Sequence, residues 1–141
     1  MKLEKQVCSL ELSKKLKELG VKQESLFEYR KFDGGKDFFW SKPLLVGKIP
    51  DKLGCANVGF GKVSAFTVAE LGELLINNTP KKIMDTSPTY DGLHKSWYFE
   101  TVYNGENWET EWIDKKIRTE ANARAKMLVY LLENNLTNLN Q

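Results

Sequence analysis

The chemistry this chain can carry is limited first by its few reactive side chains. There is one histidine, His94, and there are two cysteines, Cys8 and Cys55. A Cys–His nucleophile pair needs thiol and imidazole within hydrogen-bond reach, and nothing in the local sequence brings His94 to either cysteine. No Cys-x-x-Cys or His-Glu-x-x-His spacing occurs, so no zinc site is expected, and the reading assigns no metal and no cofactor. Glu109 and Glu111 stand two apart on an expected strand and share a face. Such a pair can hold a cation or share a proton, but it also suits the polar side of a hairpin, which is the reading preferred. The stretch Gly54 to Ser64 is glycine-rich without being a phosphate loop: counting back from Gly61-Lys62 puts Ala56 at the first glycine and Val63 at the hydroxyl position. With no catalytic apparatus in view, the sequence points to a binder rather than an enzyme.

A binder would draw on aromatics and arginines. The chain has 4 Trp, 5 Tyr and 7 Phe, with clusters at Phe38-Phe39-Trp40 and Trp97-Tyr98-Phe99. Aromatic faces stack bases, and arginine's planar fork meets phosphate at two points. The only arginines are Arg30, Arg118 and Arg124. Charge is also segregated: Ser96 to Asp114 holds five acidic residues and no basic one, whereas Lys115 to Lys126 holds five basic residues and one acidic one. An anion site is therefore expected near the start of the last helix, at Arg118 and Arg124, where the helix N-terminus adds its own positive end. Arg30, Tyr29, Trp40 and Tyr98 complete the expected ligand-binding set. Trp97, Phe99, Trp108 and Trp112 are assigned to the core.

These residues need elements to hold them. Ser9 caps a helix over 9–19, with Leu12, Leu16 and Leu19 on one stripe and Gly20 as its stop. Period-two alternation from Ser25 to Phe32 predicts a strand. Asp33-Gly34-Gly35-Lys36 turns the chain, and Asp37 to Trp40 returns as the hairpin partner. Leu44–Val46 and Val58–Val63 are short strands between glycines and prolines. Thr67 and Glu70 form a capping box that opens a helix over 67–77, closed by Asn77-Asn78-Thr79-Pro80. Trp97 to Tyr103 pairs across an Asn104-Gly105 turn with the strand ending at Trp112. Thr119 caps a helix over 119–135 that buries Ala121, Ala125, Leu128 and Leu132, with Asn134 and Asn135 fraying its end. A helix-turn-helix over Leu10–Leu26 is disfavoured because the residues after Glu24 alternate like a strand. The sum is one α+β domain over 1–141, with an antiparallel sheet of about four to six strands and about three helices.

At 141 residues, with 21 Lys and Arg against 19 Asp and Glu, the net charge of +2 argues against a duplex-DNA binder held by bulk charge. No apolar run has the roughly 20 residues of a membrane span. The start, Met1 to Val7, is too charged for a signal peptide, and two cysteines are too few for a disulfide scaffold. A cytoplasmic location is expected.

Three segments also carry a resemblance: Lys5 to Ser25, Ala65 to Leu74, and Thr119 to Asn134 are similar to a family of short proteins encoded by bacteriophages and prophages. The resemblance implies a setting, the bacterial cytoplasm, rather than a reaction. It suggests a counter-defence factor that sequesters a small nucleotide-type immune signal, in a pocket that a homo-oligomer would help close. The alternatives are a protein–protein inhibitor of a host defence enzyme and a nucleic-acid-binding accessory protein.

Overall fold

The computed structural model describes residues 2–47, 61–78, 83–91, 96–104, 111–112 and 117–137. The elements run in the order α1 (Leu3–Gln6), α2 (Leu10–Glu18), β1 (Phe27–Asp33), β2 (Phe38–Trp40), β3 (Leu44–Leu45), β4 (Lys62–Ser64), α3 (Val68–Asn78), β5 (Ile83–Asp91), β6 (Ser96–Asn104), β7 (Glu111–Trp112) and α4 (Glu120–Glu133). The architecture is α+β, as the periodicities predict.

The three long helices begin where their caps require. Ser9 Oγ accepts from Leu12 N, and Thr119 Oγ1 accepts from Asn122 N at 3.2 Å. Thr67 and Glu70 make the reciprocal pair of the capping box: Glu70 N donates to Thr67 Oγ1 at 3.2 Å, and Thr67 N donates to Glu70 Oε2 at 2.8 Å. The caps also join helices, because Ser9 N donates to Asn122 Oδ1 at 2.7 Å. Between them lies a core of Leu16, Phe66, Leu71, Leu75, Met127, Leu128 and Leu131. Ala121 and Ala125 keep α4 slim on its buried side, so the neighbouring helices approach closely.

Around β1 are gathered β2, β3 and β4, each antiparallel to it. Tyr29, Val63, Ala65 and Val7 form a second core on this sheet, with Trp40, Leu3 and Leu10 packed against them. The separate sheet β5-β6-β7 pairs β6 with β7 at Thr101↔Trp112. It pairs β6 with β5 throughout, from Ile83↔Asn104 to Asp91↔Ser96. Phe99 N donates to Ile117 O at 3.1 Å, tying this sheet to the residues that lead into α4.

Three features differ from expectation. α1 is a single extra turn. β5 escapes a propensity reading because Asp85, Ser87 and Pro88 look like a loop; at the outer edge of its sheet, proline's missing N–H costs no ladder bond. Residues 27–33, by contrast, are strand as expected, so no recognition helix follows α2. Finally, α4 does not fray at Asn134 and Asn135. Asn135 takes φ 55°, Leu136 N donates to Leu131 O at 2.8 Å and Asn135 N to Leu132 O at 3.3 Å, which together make a Schellman cap. The Gly105 turn, Trp108 and residues 58–60 lie outside the described residues.

Two predictions follow from the helix contacts. Gly72 sits inside α3, where glycine costs about 1 kcal/mol relative to alanine, and a Cβ there would collide with Arg124 Nη1. Gly72→Ala is therefore expected to stabilise an Arg124→Ala background by more than it stabilises the parent. Urea unfolding of the four variants of that cycle measures the coupling, and additive energies would refute it. Glu70→Ala should cost about 2 kcal/mol or more, because it strips charged acceptors from several donors at once. A loss below about 0.5 kcal/mol would contradict this.

Candidate functional site

The three arginines do not form one site. Arg30 Nε donates to Glu28 Oε1 at 2.6 Å, an ion pair between side chains only 13% and 6% exposed. Both residues lie on the same face of β1, two positions apart. Arg124 Nη2 meets Glu120 Oε1 at 2.7 Å, one helical turn away. Its Nη1 reaches Val68 O at 3.3 Å, and its buried Nε finds no acceptor. Arg124 thus clamps α4 to α3. Arg118 is exposed and borders two clefts beside the start of α4. One, of about 170 Å³, also takes in Lys5, Phe99 and Glu120. The other, of about 290 Å³, takes in Glu11, Asn122 and Lys126. Both fall below the roughly 300–1,000 Å³ typical of ligand pockets, and each carries a carboxylate beside its cation.

Nor do the expected aromatics act alike. Tyr29 is core: it is 7% exposed, and its hydroxyl donates to Cys8 O at 2.8 Å. Burial holds its phenol well above the ordinary range, with smaller contributions from Cys8 and Glu4. Burial likewise raises the Cys8 thiol, which lies 3.1 Å from Ser13 Oγ. Tyr98 pairs with Thr89 in the β5–β6 ladder. His94, Cys55 and Glu109 lie outside the described residues.

Aromatic faces and cations do meet at Trp40. The hairpin register sets Lys31 opposite Trp40 and Asp33 opposite Phe38, so all four share a face of the β1–β2 ribbon. Lys31 Nζ stands 5.1 Å from the Phe38 ring centre and 5.9 Å from that of Trp40. From α2, Lys14 Nζ covers Trp40 at 4.8 Å. Across the described face the order is cation, ring, cation, ring: Lys14, Trp40, Lys31, Phe38. Phe38 is 52% exposed. The indole is seated from below by the Tyr29 core and lies 3.8 Å from where a Cβ on Gly61 would be. Gly61 has φ 137°, a backbone shape that favours glycine. Two nearby carboxylates have partners, with Asp33 Oδ1 accepting from Gly35 N at 2.8 Å and Glu4 lying 3.8 Å from Lys42 Nζ.

Of the expected residues, then, Trp40 belongs to this face and Tyr29 supports it from beneath. Arg30 points to the other side of β1, Arg118 precedes α4 and Arg124 lies on it. The residues that sequence reasoning missed are Lys14, Lys31 and Phe38. The tight turn at 33–37 contains the needed signal, since its register puts Lys31 beside the aromatic run.

The buried phenol and thiol predict an alkaline weakness. Both groups have folded-state values raised above those of the unfolded chain, so their contribution is intact at neutral pH and lost as pH rises past about 9 to 10. Tyr29→Phe should cost about 1 kcal/mol at pH 7 through the lost bond to Cys8 O. That deficit should shrink in urea titrations above pH 10; a constant deficit would show that Tyr29 does not contribute to the alkaline loss.

In comparisons with known proteins the chain matches no family model, no curated protein and no solved structure. What the Trp40 face does must follow from its own chemistry.

Proposed function

We propose that this protein is a non-enzymatic binder of nucleotide-type ligands, taking the base against Trp40 and Phe38 and the phosphate with Lys31 and Lys14. The observation that carries the reading is that Lys31 Nζ lies over both rings, 5.1 and 5.9 Å from their centres. A nucleotide offers the complement of this arrangement: a flat π-surface joined to an anion. At exposed sites an ammonium on a ring is worth about 0.5–1 kcal/mol, whereas a base stacked on an aromatic is worth about 1–3 kcal/mol. A base therefore displaces the ammonium at little cost, and the freed lysine meets the phosphate. Sequestration asks for no bond-making groups, and none is assigned.

The resemblance to phage-encoded proteins supports a counter-defence setting in the bacterial cytoplasm, with an immune signal of nucleotide type as the ligand. A second copy closing over the face would give a small ligand the walls that one copy lacks. A protein–protein reading draws on a different observation. Leu26, Leu45 and Val46, 64%, 42% and 50% exposed, meet where β3 joins the start of β1, and Val46 N donates to Leu26 O. That apolar edge would suit a host enzyme as partner. In both readings no membrane is involved, and no described helix is long and apolar enough to cross one.

The nucleotide reading is tested by following tryptophan fluorescence during titration with adenosine monophosphate, a cyclic dinucleotide and a twelve-residue oligothymidylate. At least one should bind, and the double variant Lys31→Gln/Phe38→Ala should lose that binding while keeping its far-UV circular dichroism. No response to any probe, or an unchanged response in the double variant, overturns it. If Leu45→Asp alone abolished capture of a purified host enzyme, the apolar edge would be the functional surface instead.

A further inference from the structure

Resting on the nucleotide-binding reading above, we infer that the occupant of the Lys14–Trp40–Lys31–Phe38 face is a single strand of nucleic acid rather than a free nucleotide. Three observations lead there. The face is open at its Phe38 end: Phe38 is half exposed while Lys14, Trp40 and Lys31 are partly buried, and among the described residues the cleft that reaches ligand size lies elsewhere, around Lys22 and Glu73. Tight capture of a small molecule requires burying most of its surface, which an open platform does not do. A strand needs no walls, because each of its residues adds a modest contact to the same chain.

The second observation is the alternation itself. Lys14, Trp40, Lys31 and Phe38 present charge, ring, charge and ring in sequence, matching a polymer that repeats phosphate and base. One nucleotide would use one ring and one cation and leave the other pair idle. The third is spacing. Phe38 and Trp40 are two residues apart on β2, about 6.6 Å along a strand, whereas bases stacked in a duplex are about 3.4 Å apart. The two rings therefore accept bases that are already unstacked, and a duplex cannot offer them. Lys17 lies one turn beyond Lys14 on α2, its Nζ 2.9 Å from Lys62 O.

Fluorescence anisotropy with the full chain and a labelled twelve-residue oligothymidylate tests this. The strand should bind at least a hundredfold more tightly than thymidine monophosphate and more tightly than a duplex of equal length. With two lysines meeting phosphates, log affinity should fall with log salt at a slope near about −1.4, and Lys31→Gln should flatten it by about 0.7. Phe38→Ala and Phe38→Leu should each weaken binding about tenfold, while Phe38→Tyr, which keeps the ring, should not. Thymidine monophosphate or a cyclic dinucleotide binding as tightly as the strand would overturn the inference and leave the nucleotide reading standing. Equal binding of duplex, or Phe38→Leu behaving as the parent, would overturn it by removing stacking. Failure of every nucleic acid and nucleotide probe would overturn both readings.

Discussion

One carboxylate holds the two halves of the described structure in register. Glu70 accepts from Thr67 N to complete the start of α3, and from Ser25 Oγ at 2.8 Å and Leu26 N at 2.9 Å, just before β1. Ser25 Oγ also lies 3.0 Å from Ala65 O and accepts from Phe27 N. A short polar knot thus sets where the helical layer ends and where the sheet begins. Ionised acceptors make the stronger hydrogen bonds. The residues on either side of the knot follow from it. Val7 bridges to Thr67 and Cys8 N donates to Phe66 O, so α2 starts from a fixed point and brings Lys14 over Trp40.

The division of labour between arginine and lysine follows from their chemistry. Arginine is always charged and forked, so it suits a buried place where two or more acceptors have fixed positions. Arg124 occupies such a place, between Glu120 and Val68 O, and Arg30 lies largely buried against Glu28. Lysine is a mobile point charge on a flexible stem, and here it rests on ring faces that a better π-partner can claim. The functional surface therefore carries the weaker, exchangeable contacts, and the structural joints carry the stronger ones.

Much of this architecture is legible in the residues. Ser9, Thr67 and Thr119 mark helix starts by local hydrogen bonding, which needs no knowledge of the fold. Strand β5 is not legible, because whether Pro88 is tolerated depends on its lying at a sheet edge, and edge position belongs to the tertiary structure. The Schellman cap at Asn135 shows the same limit, since the residues that suggest fraying also permit a left-handed turn. For the site, attention to arginine misleads. Glu28 stands two before Arg30 on a strand and Glu120 four before Arg124 on a helix, so both ion pairs are visible in the spacing alone. Trp40's partners are harder to see: Lys31 requires the hairpin register, and Lys14 requires packing between α2 and the sheet.

Strand β1 is shared by three partners, and this makes chain length unequally constrained along the molecule. One residue added in β1 ahead of Tyr29 would turn Tyr29 and Lys31 to the opposite side, unseating the phenol from Cys8 and the ammonium from its rings together. The turn at Gly34-Gly35-Lys36 is exposed, and Gly35 already has a positive φ of 93° with open space around it. Extra residues there would leave the ladder below untouched. The hairpin tip is thus where this chain can be lengthened, or a tag inserted, while the surface beneath keeps its shape.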